Sequence, residues 1–213
     1  MFPLTKNYFL VFIILLLTAL IEAGTVRIMT YNLLNFEDEN DRENDFRSII
    51  SLIEPDLIIV QEVSGQEGFS NFKSDVLDLI EPNSWTGANF INQTASQDIA
   101  LYYRNDLFTF ISTSEINTAQ TAGTRDVIEW RIIHNTSEKE LYLYGVHLKA
   151  SSGQSNADQR LEEATVLRNY LNDLDENFFI VAGDFNIYSN NQSSEPAFEM
   201  LTGSSNNNNG RLY

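Results

Sequence analysis

FFIVAGDFNIYSN, residues 178–190, decides how this chain is read. Phe178 to Ala182 form a short apolar run rich in aromatic and β-branched side chains, the composition of a buried strand. Gly183 follows, and a residue without a Cβ lets the backbone bend or pass close to another segment. Asp184 and Asn186 lie two positions apart, so they share a face if the extended geometry persists. Two readings stand at this point. Asp184 and Asn186 either cap a turn at a strand end or form a polar pair at a functional site.

Working outward, "NADQRLEEATVLRNYLNDL" before this strand has the pattern of an amphipathic helix, with Asn156 or Asp158 as its N-cap. Before that helix, "DVIEWRII" and "ELYLYGVHLK" flank "HNTSEKE" and read as a hairpin. The segment Leu141–Val146, the helix and Phe178–Ala182 make a strand–helix–strand crossover, which joins parallel strands. The N-terminal half repeats the arrangement. "TVRIMTYN" alternates as a strand does, and Phe46, Ile49, Ile50 and Ile53 fall at helical spacing up to Pro55. "DLIIVQE" is then a short buried strand. Phe69, Phe72, Val76, Leu79 and Ile80 mark another helix, closed by Pro82. "QDIALYYR" and "LFTFIST" add strands, and "EPAFEML" a last short helix. Strands and helices mixed in this order predict an α/β layered domain.

Four of these strands finish on Asn32, Glu62, His147 and Asp184. Ligands of α/β sheets sit beyond the carboxyl ends of parallel strands, so these residues meet at one edge if both pairs point the same way. Each also has an ordinary structural reading: a turn cap, a solvated strand end, an edge histidine. Together, an oxygen-only pair of Asn32 and Glu62 suits a hard cation such as Mg²⁺ or Mn²⁺. Asp184 suits a group that orients or activates water. His147 and Asn186 suit donors to a phosphoryl oxygen that gains charge in the transition state.

Composition sets bounds. The chain has 213 residues, no cysteine and two histidines, which excludes a disulfide framework, a thiolate metal site and a thiol nucleophile. It also disfavours an imidazole-rich zinc site. A net charge of −17 argues against gripping nucleic acid by bulk electrostatics. A phosphate ester substrate remains compatible, because a bound divalent cation supplies a local positive field. At the N-terminus, Lys6, the apolar run "YFLVFIILLLTALI" and the small residues Ala23 and Gly24 predict a signal peptide over residues 1–23. The expectation is an exported protein, secreted or periplasmic, with no stable membrane span after cleavage.

"MTYNLLNF", "PDLIIVQEV", "DIALYYR", "YGVHLKA" and "VAGDFN", in this order and spacing, resemble the endonuclease/exonuclease/phosphatase family. The resemblance runs from about Thr25 to Leu201. It implies a two-sheet α/β sandwich like that of deoxyribonuclease I, with metal-dependent phosphodiesterase or phosphatase activity. By position it makes Asn32 and Glu62 ligands of a catalytic Mg²⁺ or Mn²⁺, with Ca²⁺ as an alternative. It makes His147 the phosphate-side donor, Asp184 the group that orients the attacking water, and Asn186 a phosphate contact. Asp98 is implied as the carboxylate that orients His147, and Arg125 in "GTRDVIEW" as an arginine facing the substrate.

The family's later Asp-His pair is not found before the sequence stops at "GRLY", so residues 24–213 are expected to be a domain truncated before its final strands. The leading expectation is a monomeric nuclease hydrolysing DNA or RNA. Alternatives are a phospholipid or sphingolipid phosphodiesterase, a phosphatase of the same fold, and a non-catalytic binding module that kept the fold.

Overall fold

The computed structural model describes residues 25–37, 42–121, 123–174, 179–189, 191 and 194–203. The expected signal peptide, Phe178 and the tail from residue 204 lie outside the described residues.

Two four-stranded sheets form the frame. The first contains β1 (Ile28–Phe36), β2 (Leu57–Val63), β3 (Trp85–Gly87) and β4 (Asp98–Arg104), in the order β1-β2-β4-β3. β1 and β2 run parallel, linked through helix α1 (Glu43–Ile53). The second contains β5 (Phe108–Ile116), β6 (Val127–His134), β7 (Lys139–His147) and β8 (Phe179–Asp184) in sequence order. β6 and β7 form the expected hairpin. β7 and β8 are parallel, joined through helix α4 (Gln154–Asn172).

Alternation along each strand explains the layers. In β2, Leu57 and Ile59 join a cluster with Ile99, Leu101, Trp130, Ile132 and Leu143 between the sheets. Ile58 and Val60 face the other way, toward Phe36, Phe46, Phe72 and Tyr102 under the helices. In β7, Tyr144 and Val146 face Leu167 and Leu171 of α4, and Leu201 of α5 (Pro196–Thr202), while Leu143 points between the sheets. The order is therefore helix, sheet, sheet, helix, and residues 57–60 within "DLIIVQE" are an unbroken apolar run because both faces of the strand are covered. Burying one of these large side chains is worth about 1.5–3 kcal/mol. Trp130, 1% exposed, fits because Gly145 on the neighbouring strand carries no side chain; a Cβ there would lie 2.6 Å from its ring.

Three details differ from expectation. Phe69 to Ile80 lie on one helical run, but it changes pitch: α2 (Gly65–Asn71), a π-helical turn (Phe72–Leu77) and α3 (Asp78–Ile80). The wider turn lets Phe72, Val76 and Leu77 all reach the core. α4 starts at Gln154 with Gly153 as its N-cap, not at Asn156 or Asp158; the Asn156 amide instead bonds back to the Ser152 carbonyl at 2.8 Å. The three-residue strand β3 carries no alternation long enough to read in the sequence.

Candidate active site

The edges of the two sheets bring the strand-end residues together. Asn32 Nδ2 donates to Glu62 Oε1 at 2.9 Å and to Asp184 Oδ2 at 3.1 Å, so one amide bridges carboxylates from different sheets. His147 Nε2 lies 3.8 Å from Glu62 Oε1. His147 and Asp184 are register partners across β7 and β8. The strands do not all stop where expected: β1 continues past Asn32 to Phe36, and β2 ends on Val63.

Local backbone strain places these groups. Glu62 has φ +62, at an irregularity between Gln61 and Val63 where the register with β4 shifts. A left-handed non-glycine inside a strand costs about 1–3 kcal/mol, and the bulge re-aims the side chain out of the pleat. Asn35 (φ +57), Gln97 (φ +73) and Asn186 (φ +50) are also left-handed. Gly183 has φ +145, and a Cβ there would sit 2.0 Å from the Val146 carbonyl oxygen. Close strand approach is thus the reason for glycine in this motif.

Asp184 makes both the turn cap and a contact across the two sheets. Its Oδ1 accepts the Asn186 backbone N–H at 3.0 Å, which is the turn cap, while Oδ2 faces Asn32 and Glu62. Extended geometry ends at Asp184, so Asn186 does not follow it along a strand face. The Asn186 amide spends one N–H on the Leu148 carbonyl at 3.0 Å and keeps the other.

Asp98 does not orient His147. Its Oδ1 accepts the Gln93 backbone N–H at 2.9 Å, and among the described residues His147 Nδ1 is buried without a hydrogen-bond partner. The cause is position: Asp98 opens β4 opposite Val63, at the register shift, with its carboxylate held by the preceding loop. Burial pushes that carboxyl up to about 6, against the Gln93 N–H and the charge of Arg125. Arg125, by contrast, is brought to the site. It donates to the Ser96 carbonyl at 3.0 Å and to Gln97 Oε1, and Glu62, Glu163, Asp98 and Asp184 all act on its charge. Burial lowers the His147 pKa, and Arg125 lowers it further against the opposing pull of Asp184 and Glu62. The ring is therefore neutral at neutral pH, and donating toward the site requires its proton on Nε2.

Two further groups were not read from the sequence. Gln97 Nε2 donates to Glu62 Oε2 at 3.2 Å and to Asn35 Oδ1, linking both to Arg125. No motif marks such a residue; its one signal is a polar pair, Gln97-Asp98, opening an apolar strand. Arg160 of α4 is fully buried in a two-point ion pair with Glu195, at 2.6 and 3.1 Å. It also donates to the Lys149 and Ser151 carbonyls, and so fixes the loop after His147 against the segment after Asp184.

A divalent cation fits this donor set. Glu62 and Asp184 converge on one amide, and among the described residues neither forms an ion pair with lysine or arginine. Among the described residues no three or more His, Cys, Asp or Glu side chains are grouped so as to hold a metal ion by themselves. Mg²⁺ needs only one or two carboxylates and keeps several waters. Asn32 now turns its nitrogen to the carboxylates and accepts the Leu34 N–H on Oδ1 at 2.9 Å; flipping the amide would present oxygen to a cation.

Solved structures share this fold. D. rerio TDP2 in complex with a single-stranded DNA product aligns with TM-score 0.65 at 19% identity, covering 80% of this chain and 64% of that one. The human nocturnin catalytic domain with bound sulfate gives TM-score 0.60 at 20% identity, covering 85% and 71%. A Bacteroides thetaiotaomicron mannosyl-6-phosphatase gives 0.60 at 16%, covering 82% and 70%. The chain thus spans a little under two thirds of the TDP2 structure. A search of curated proteins returns no match. The model of the endonuclease/exonuclease/phosphatase family matches residues 29–200, which takes in both sheets and every residue of the site. With the carboxylate pair, the histidine and the arginine set on that frame, the chain belongs to the endonuclease/exonuclease/phosphatase family.

Proposed function

We propose that this chain carries the catalytic centre of an exported, divalent-metal-dependent phosphodiesterase that hydrolyses nucleic acid strands. The observation that carries the reading is the Asn32 amide joining Glu62 and Asp184 across the two sheets, with His147 and Arg125 beside them. Members of this family are hydrolases of phosphate esters that use divalent metal ions. Glu62, with Asn32 turned over, would hold Mg²⁺ or Mn²⁺, which when bound polarises a phosphoryl oxygen and neutralises developing charge. The Asp184 carboxylate orients a water and takes its proton as that water attacks phosphorus in line. Neutral His147, protonated on Nε2, and the remaining Asn186 N–H donate to phosphoryl oxygens. Arg125, cationic through the working range, supplies the fixed charge that draws the phosphate in. The DNA product in the TDP2 structure supports a nucleic acid as substrate.

A second reading, a phosphatase for small phosphate esters, is favoured by the charge. Thirty acidic against thirteen basic residues leave little counter-charge for a long polyanion, and the mannosyl-6-phosphatase shows the fold serving a sugar phosphate. The test is to assay the full-length protein with Mg²⁺ or Mn²⁺ on DNA, RNA, bis-p-nitrophenyl phosphate and p-nitrophenyl phosphate. Diester and strand cleavage are expected. Hydrolysis of the monoester alone selects the phosphatase, and no hydrolysis of any substrate rejects the catalytic reading. Export is supported by Lys6, the apolar run and Ala23, and N-terminal sequencing of the exported protein should begin at Gly24. A mature chain that starts at Met1 overturns it.

A further inference from the structure

Gln97 sits between the two charged groups on which the proposed reaction depends. Its side-chain carbonyl accepts from Arg125 Nη2, and its NH₂ donates to Glu62 Oε2 at 3.2 Å and to Asn35 Oδ1. All three partners belong to the site or its rim. Both amide protons are spent, and the residue is held at φ +73, a conformation that glutamine seldom adopts. Arg125 is itself 7% exposed and pinned on its other side by the Ser96 carbonyl.

Charge explains why an amide is needed here. Glu62 and Arg125 attract one another. In contact they would form an ion pair that neutralises both: the carboxylate would lose its pull on a cation, and the guanidinium its pull on a phosphate. Arg125 forms no ion pair among the described residues. A neutral side chain that accepts at one end and donates at the other can hold opposite charges in place and apart. Glutamine has that polarity and reach; asparagine is shorter by one methylene.

We propose that Gln97 is a positioning residue, a neutral spacer that keeps Arg125 from collapsing onto Glu62 and so preserves cation binding and phosphate binding together. This rests on the proposed metal-dependent reading of the site, and it adds a residue that the reading does not require.

The test uses Mn²⁺ alone and inorganic phosphate as probes of the full-length protein. Mn²⁺ affinity is read by electron paramagnetic resonance, phosphate affinity by calorimetry, and folding by thermal melting. In Gln97→Met the guanidinium is free to pair with Glu62, so both affinities should fall about tenfold, the value of one charge-assisted hydrogen bond. Adding Arg125→Met to that variant removes the competitor. Mn²⁺ affinity should then return to within about twofold of wild type, while phosphate affinity stays low. Gln97→Glu supplies a second probe: it pairs with Arg125 and adds negative charge beside Glu62, so Mn²⁺ should bind more tightly and phosphate more weakly.

Unmoved affinities in Gln97→Met, no recovery of Mn²⁺ binding in the double variant, or both affinities falling in Gln97→Glu each overturn the spacer role. A wild-type protein that binds no Mn²⁺ removes the functional reading and this inference with it. Metal binding in wild type with unresponsive Gln97 variants removes this inference alone.

Discussion

Glu163→Gln should make the protein more stable above neutral pH and leave it nearly unchanged in acid. Glu163 is 1% exposed on α4, where Oε2 accepts the Lys149 N–H at 2.8 Å and Oε1 has no partner among the described residues. Burial pushes its carboxyl from the ordinary 4.5 up to about 7, against the Lys149 N–H and the charges of Arg125 and Arg160. The folded state therefore holds this proton more tightly than the unfolded chain does. Its contribution to stability is greatest below pH 4.5, falls as pH rises toward 7, and is level beyond. At 1.36 kcal/mol per pH unit, the loss between pH 5 and pH 8 is about 2–3 kcal/mol.

Glutamine keeps an oxygen for Lys149 and carries no charge to desolvate. The difference in unfolding free energy, variant minus wild type, should then grow by about 1–3 kcal/mol from pH 5 to pH 8, the lower end reflecting lost attraction to Arg125 and Arg160. Urea unfolding across that range measures it. Parallel stability curves would refute the reasoning. So would a wild type that gains on the variant as pH rises, since the two arginines would then outweigh burial.

Two further outcomes follow from the geometry. Asp184→Asn keeps the Asn186 cap but removes the charge that orients water, so turnover should fall at least about 10²-fold with the fold retained; activity that merely tracks the folded fraction would make Asp184 only a cap. Gly183→Ala drives a Cβ into the Val146 carbonyl and fixes a strained φ, so chemical denaturation should show about 2–6 kcal/mol of lost stability, and wild-type stability would mean that β7 and β8 are not this close.

The fold was legible because its signals are periodic. Crossovers and hairpin follow from alternation and turn residues, and "DLIIVQE" announces a strand buried on both faces. The meeting of Asn32, Glu62, His147 and Asp184 was legible from apolar strands that run into polar residues and one topological rule, although β1 and β2 continue past Asn32 and Glu62. What stayed hidden depends on local backbone conformation and on contacts between distant segments. Nothing in the sequence marks Glu62 as left-handed, and that conformation directs its carboxylate. The family resemblance implied Asp98 as the partner of His147, yet at a one-residue register shift it is the neighbouring Gln97 that bonds to Glu62. Arg160 and Glu195 are 35 positions apart, and a single charged residue on a helix gives no sign that it is buried. The π-helical turn in Phe72–Leu77 keeps the apolar spacing of an ordinary helix, so composition cannot separate the two.

The central claim is that Glu62 holds a divalent cation required for phosphate ester hydrolysis. Its most direct test is a Mg²⁺ and Mn²⁺ titration of bis-p-nitrophenyl phosphate hydrolysis by the full-length protein and its Glu62→Gln variant, with EDTA as control. The account predicts that EDTA abolishes wild-type hydrolysis. It also predicts that the neutral amide raises the half-activating metal concentration at least about tenfold. Hydrolysis that survives EDTA, or two superimposable titrations, would contradict it.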